Sequence, residues 1–168
     1  MALHIQDIKL KFLELIPLLL LFFISLNGNS VIDLKFFSVN VHYILVYYWV
    51  LKKPETLGYG FIFLSGIITD VVYGLPMGAT ALTLMIVAAV AAYIRVVTVR
   101  ASLLSGWMSF IIALLISNFI YFITLHFSNY SIDYLYLFKN SIFTFVCYPI
   151  LWIIFEILLN FTRLKSHV

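Results

Sequence analysis

Residues 48–82 read YWVLKKPETLGYGFIFLSGIITDVVYGLPMGATAL. An apolar run over 57–73 stops at Gly74-Leu75-Pro76, and a second run over 77–94 follows at once. A crossing of a bilayer needs about 20 apolar residues. In lipid the backbone must satisfy its own polar groups, so runs like these read as helices. Gly74, Pro76 and Gly78 supply turn chemistry. The two runs are therefore expected to form an antiparallel helical hairpin with a tight, uncharged tip.

Working outward, four more apolar runs appear, at about 10–26, 36–51, 103–125 and 142–161. The second is short and opens on the polar residues Ser38, Asn40 and His42, which suits a tilted, partly re-entrant or shielded segment. The whole chain is 64% hydrophobic and 10% charged over 168 residues, with a mean hydropathy of +1.12. Soluble domains carry about 25% charged residues. A chain of this length cannot hide so much apolar surface in one core, so lipid is its solvent. The expected fold is an all-α integral membrane domain over 1–168, a compact bundle of six transmembrane helices. The opening MALHIQDIKLK lacks the form of a signal peptide, and the first run is read as a retained helix. Cys147 is the lone cysteine, which excludes an intramolecular disulfide and a cysteine metal cluster.

The ten Lys and Arg residues fix an orientation. With six crossings, Lys9, Lys11, Lys52, Lys53, Arg95, Arg100, Arg163 and Lys165 share one side, and Lys35 and Lys139 fall on the other. Cytoplasmic loops carry the basic excess. Both ends are thus expected in the cytoplasm, with 27–35, 75–76 and 126–139 outside. The net charge of +3 follows from this distribution. No basic face with interleaved aromatics is present, so nucleic acid is not an expected partner.

Acids within spans are costly and each is a candidate for function. Glu14 has Lys11 three residues earlier and reads as an interfacial pair that reaches water. Glu156, near Arg163 and the cytoplasmic boundary, reads the same way. Asp70 stands one turn after Gly66 and one turn before Gly74, so the three share a helix face. Two readings stay open for it: a proton, ligand or partner site, or a carboxylate that caps the start of the next helix. Asn118 and Ser117 lie mid-span and read as interhelical links. Ser65 and Thr69, and Ala81, Ala88 and Ala92, make small-residue faces for close helix approach. Tyr47, Tyr48 and Trp49 suit an aromatic belt. No HExxH, Gly-rich phosphate loop or GxSxG elbow occurs, and an enzyme is not expected.

The stretch 48–82 resembles the rod shape-determining protein MreD family of bacterial cell elongation. Tyr48, Trp49 and Pro54 match that family's YW-hydrophobic-x-x-P segment. Gly66, Asp70, Gly74, Pro76, Gly78, Ala81 and Leu82 match its downstream hairpin. The resemblance implies a multi-pass protein of the bacterial cytoplasmic (inner) membrane. It implies a non-enzymatic, cofactor-free scaffold supporting peptidoglycan synthesis and rod shape. The implied partners are MreC by direct contact, and RodA, a class B penicillin-binding transpeptidase and MreB in the same complex. The implied fold is similar to the S components of energy-coupling-factor transporters. That raises an alternative, a small-molecule-binding transporter subunit. Leu10–Leu26 contains no alanine, a departure from the alanine-rich first span of such subunits.

Overall fold

Residues 15–27, 31–34, 37–98, 102–130 and 134–164 are described by the structure, a computed structural model. Helix α1 covers Leu15–Leu26. Strands β1 (Val31–Leu34) and β2 (Phe37–Asn40) follow, then α2 (Val41–Lys52), α3 (Tyr59–Tyr73), α4 (Ala79–Val97), α5 (Leu103–Phe127) and α6 (Tyr134–Leu164). Helices α4 and α5 and residues 135–160 of α6 are long and apolar enough to cross a membrane. Helices α1 and α3 are apolar but shorter.

The chain is all-helical in class, as expected, and in the second run the helix is preceded by a short hairpin of two four-residue strands. Residues 37–40 pair antiparallel with 31–34, Val31 opposite Asn40 and Leu34 opposite Phe37. The helix starts only at Val41, where the Asn40 side chain accepts from the Tyr43 N–H at 3.3 Å. This is the N-cap preference of Asn overriding an apolar pattern. Every residue of α2 except Lys52 is buried, as expected of a helix that is apolar on all sides. Its 12 residues rise about 18 Å, short of the roughly 30 Å hydrocarbon core. It is an internal pillar packed on α4 and α6.

Helices α2 and α6 run parallel and in register. Asn40 N–H donates to Thr144 Oγ1 at 2.8 Å, the Tyr48 and Trp152 rings meet at 4.8 Å, and Lys52 reaches Glu156 at 3.4 Å. Around this axis lies an aromatic core. Phe110 of α5 stacks on Tyr148 at 4.5 Å, Tyr47 packs on Phe110 at 5.0 Å, and Tyr48 packs on Phe155 at 5.3 Å. Gly106 admits the α6 aromatics. A Cβ there would sit 2.9 Å from the Trp152 ring.

The last run is longer than expected. Helix α5 continues to Phe127 and α6 begins at Tyr134, so most of the stretch 126–139 is helical. Lys139 is exposed on α6, where a long side chain can reach water from a helix end. Pro149 lies inside α6. Proline has no N–H, so it leaves the carbonyl four residues earlier without its helical donor. That carbonyl belongs to Phe145, and the Trp107 indole of α5 donates to it at 2.9 Å.

Candidate functional site

Gly66, Asp70, Gly74, Pro76 and Gly78 come together at the α3–α4 hairpin. Asp70 is fully buried. Its Oδ2 accepts from the Gly78 N–H and its Oδ1 from the Thr80 N–H, both at 2.8 Å. Those donors are among the first N–H groups of α4, which have no partner within the helix and carry its positive dipole end. The carboxylate thus lies where a buried negative charge is best compensated without a cation.

The same face serves the hairpin at three levels. Gly66 lets the backbones meet: a Cβ there would lie 2.3 Å from Ala81 Cα. Gly74 ends α3 in the left-handed region at φ 64° and ψ 30°, and the Leu75 N–H returns to the Asp70 carbonyl at 2.9 Å. Pro76 accepts from the Ala79 N–H at 3.0 Å. The G-x-x-x-D-x-x-x-G spacing is therefore a clasp of close approach, helix cap and helix stop. Ser65 and Thr69, on the small face of α3, return their hydroxyls to carbonyls of their own helix at 2.8 and 2.9 Å.

Trp49 and Pro54 lie near the opposite end of α2. Trp49 is buried, inside the bundle and away from any belt, and packs edge-on to Tyr48 at 5.5 Å. Pro54 accepts from the Gly58 N–H at 3.3 Å and closes the α2–α3 turn. Beside them, Tyr48 Oη donates to Glu156 Oε2 at 2.9 Å. Lys52 Nζ approaches the same oxygen at 3.4 Å and lies 4.8 Å from the Trp152 ring centre. Glu156 is thus tied to α2. Its expected neighbour Arg163 has a side chain outside the described residues, as do Glu14 and Lys11.

Asn118 stands apart on α5, where its Nδ2 donates to Ser141 Oγ of α6 at 2.8 Å. Ser117 faces inward and donates to the Ala113 carbonyl. The sequence reading passed over three polar links. One is Trp107 with the Phe145 carbonyl, which Pro149 inside an apolar run signals. Another is Ser25 with His42 at 3.3 Å, which ties α1 to α2. The third is Asn40 with Thr144. The last two join residues distant in sequence, and no local pattern announces them.

No curated protein and no solved structure matches the chain. The family model described as rod shape-determining protein MreD matches residues 6–162. That match spans nearly all of the 168 residues and includes both the α3–α4 clasp and the α2–α6 pillar. The chain is a membrane protein that belongs to the MreD family and has its role in determining rod shape.

Proposed function

We propose that this protein is a non-enzymatic scaffold of the cell-wall elongation complex, embedded in the inner membrane, with MreC as its direct partner. In this reading it biases MreC towards a form that activates the synthase pair of RodA and a class B transpeptidase, with MreB beneath. The family match carries the reading. The architecture supports it, because the described connections are short and the helices present wide apolar faces on α3, α5 and α6. Such faces act through packing and interhelical hydrogen bonds in lipid.

The proposed orientation has both ends in the cytoplasm. Six helices with α2 parallel to α6 suit it, since Lys52, Lys53 and Glu156 then share the basic side. In this reading the Asp70 clasp holds the shape of the docking surface and takes no part in chemistry. The S-component fold and the transporter alternative remain distinguishable by what co-purifies.

The deciding experiment is purification of the full chain in mild detergent after co-expression with candidate partners, read by mass spectrometry. Recovery of MreC with cell-wall synthases at defined stoichiometry is the expected result. Recovery of ATPase subunits with a bound vitamin would replace the scaffold reading by the transport one.

A further inference from the structure

The α3–α4 and α5–α6 hairpins end at different levels. Lys52 and Glu156, 3.4 Å apart, mark one level at the basic end. Helix α6 starts at Tyr134, 22 residues or about 33 Å beyond Glu156. Helix α5 rises as far. Ser109 meets Tyr47 at 2.8 Å, and Phe127 lies 18 residues past Ser109, about 27 Å further on. Helix α3 is shorter. It begins just past the turn that Pro54 and Gly58 close, and its 15 residues rise about 22 Å. Helix α4 agrees. Asn40 is level with Thr144, so Tyr43 is level with Cys147. Tyr43 meets Thr83, and Met77, six residues outward, falls about level with Ser141. The α3–α4 tip thus stops roughly 10 Å short of the α5–α6 end.

That step lies at the surface of the bilayer. Residues 103–125 of α5 carry no Lys, Arg, Asp or Glu, so α5 crosses the whole hydrocarbon core. A core of about 30 Å counted from Glu156 ends near Tyr136. Tyr136 is exposed, as an interfacial tyrosine should be. Lys139 lies one turn inside that edge and spans the gap with its own length. Met77 has no such reach and lies about 7 Å inside.

The tip is built for that depth. Residues 71–82 carry no charge, and Met77 and Val71 are 76% and 61% exposed. Non-helical backbone at membrane depth has to keep its polar groups from lipid. Five of the six N–H groups from Gly74 to Thr80 bond within the hairpin. Gly74 and Leu75 donate to carbonyls at the end of α3, Gly78 and Thr80 to the Asp70 carboxylate, and Ala79 to Pro76. Pro76 has no N–H to place. Helix α3 turns Leu64, Val72 and Tyr73 outward, so the tip lies at the rim of the bundle and away from its aromatic core.

We infer that the α3–α4 tip is sunk in the leaflet opposite the basic end and covered by phospholipid acyl chains, so that the bilayer dips against α3 and α4 and keeps its full thickness along α5 and α6. The Asp70 clasp makes this position tolerable, because it takes up donors that water would otherwise have to meet. Headgroups are drawn down over the tip, and shorter acyl chains fit it best. The inference needs no protein partner and stands apart from the scaffold reading.

The test uses the full chain in lipid nanodiscs, in a Cys147→Ser background, with a nitroxide on one cysteine at a time. The sites are Met77 at the tip, Leu64 lower on α3, and the exposed Ser128 just past the end of α5. Relaxation by oxygen, which concentrates in hydrocarbon, is compared with relaxation by a water-soluble nickel chelate. Oxygen should dominate at Met77→Cys as it does at Leu64→Cys, and the chelate at Ser128→Cys, with the Met77 label about 7 Å inside the hydrocarbon edge. Met77→Asp should lower the thermal midpoint in nanodiscs, and Ser128→Asp should not. Chelate access at Met77 equal to that at Ser128 would put the tip in water and remove the dip. Low access of both reagents to Met77 would show protein, and not lipid, over the tip. Either result overturns the inference, and neither bears on whether MreC co-purifies.

Discussion

Two glycines of α3 separate conformational freedom from steric need. Gly66 faces the Ala81 backbone, with a Cβ contact of 2.3 Å, whereas a Cβ on Gly60 would meet nothing within 4 Å. Gly66→Ala is expected to force the hairpin apart and lower the thermal midpoint in detergent. Gly60→Ala should be neutral or stabilising by up to about 1 kcal/mol, from helix propensity alone. Asp70 has a similar contrast. Asp70→Ala leaves the buried Thr80 N–H and the part-buried Gly78 N–H without that acceptor, at about 1–3 kcal/mol for the buried one and less for the other. Asp70→Asn keeps one acceptor and should lose less. Immunoblotting with cell-shape imaging would rank the two: loss of protein together with loss of rod shape in Asp70→Ala fits a clasp. Normal protein with lost shape would instead make Asp70 a partner contact.

At the scale of elements, α5 repairs a defect that α6 carries in its own sequence. Pro149 frees the Phe145 carbonyl, and the Trp107 indole occupies it at 2.9 Å. The two residues should be energetically coupled. Trp107→Phe alone is expected to cost about 1–3 kcal/mol. In a Pro149→Ala background the carbonyl regains its helical donor, and the same substitution should cost less. A double-mutant cycle on thermal unfolding in detergent measures the difference, and strict additivity would show the two residues to be independent. The α3–α4 hairpin was legible from sequence because its glycines, proline and acid act within a dozen residues of one another. The hairpin of β1 and β2 was not. Its strands are four residues each, embedded in a run whose apolar content reads equally well as helix.

For the whole molecule, the positions of the cations are the readable part. With the proposed orientation, a cysteine at Lys53 should be labelled by an impermeant maleimide only from the cytoplasmic face. A cysteine at Lys139 should be labelled only from outside. Labelling of both from one side would break the six-crossing topology. The count of six helices was legible from hydropathy, but which of them meet lipid was not. Periodicity tells how apolar a helix is, not what covers it. Tyr47, Tyr48 and Trp49 read as an interfacial belt on composition, yet all three are buried, because α4 and α6 enclose α2. Asn118 was visible as a mid-span polar residue, whereas its bond to Ser141 requires the pairing of α5 with α6.

The enclosure of α2 bears on how the chain is made. A segment that emerges from the ribosome second among the described helices finds its permanent neighbours in the fourth and sixth, and the sixth follows the other five. Until then Tyr47 lacks the Tyr148 ring, and Tyr48 lacks the Trp152 and Phe155 rings and the Glu156 acceptor. Chains translate at about 5–20 residues per second, so α2 waits several seconds in an unfinished setting. Its length and buried polar groups make it a poor candidate for independent partition into lipid. The arrival of α6 is therefore expected to act as a closure step, which converts a loosely held segment into the axis of the bundle.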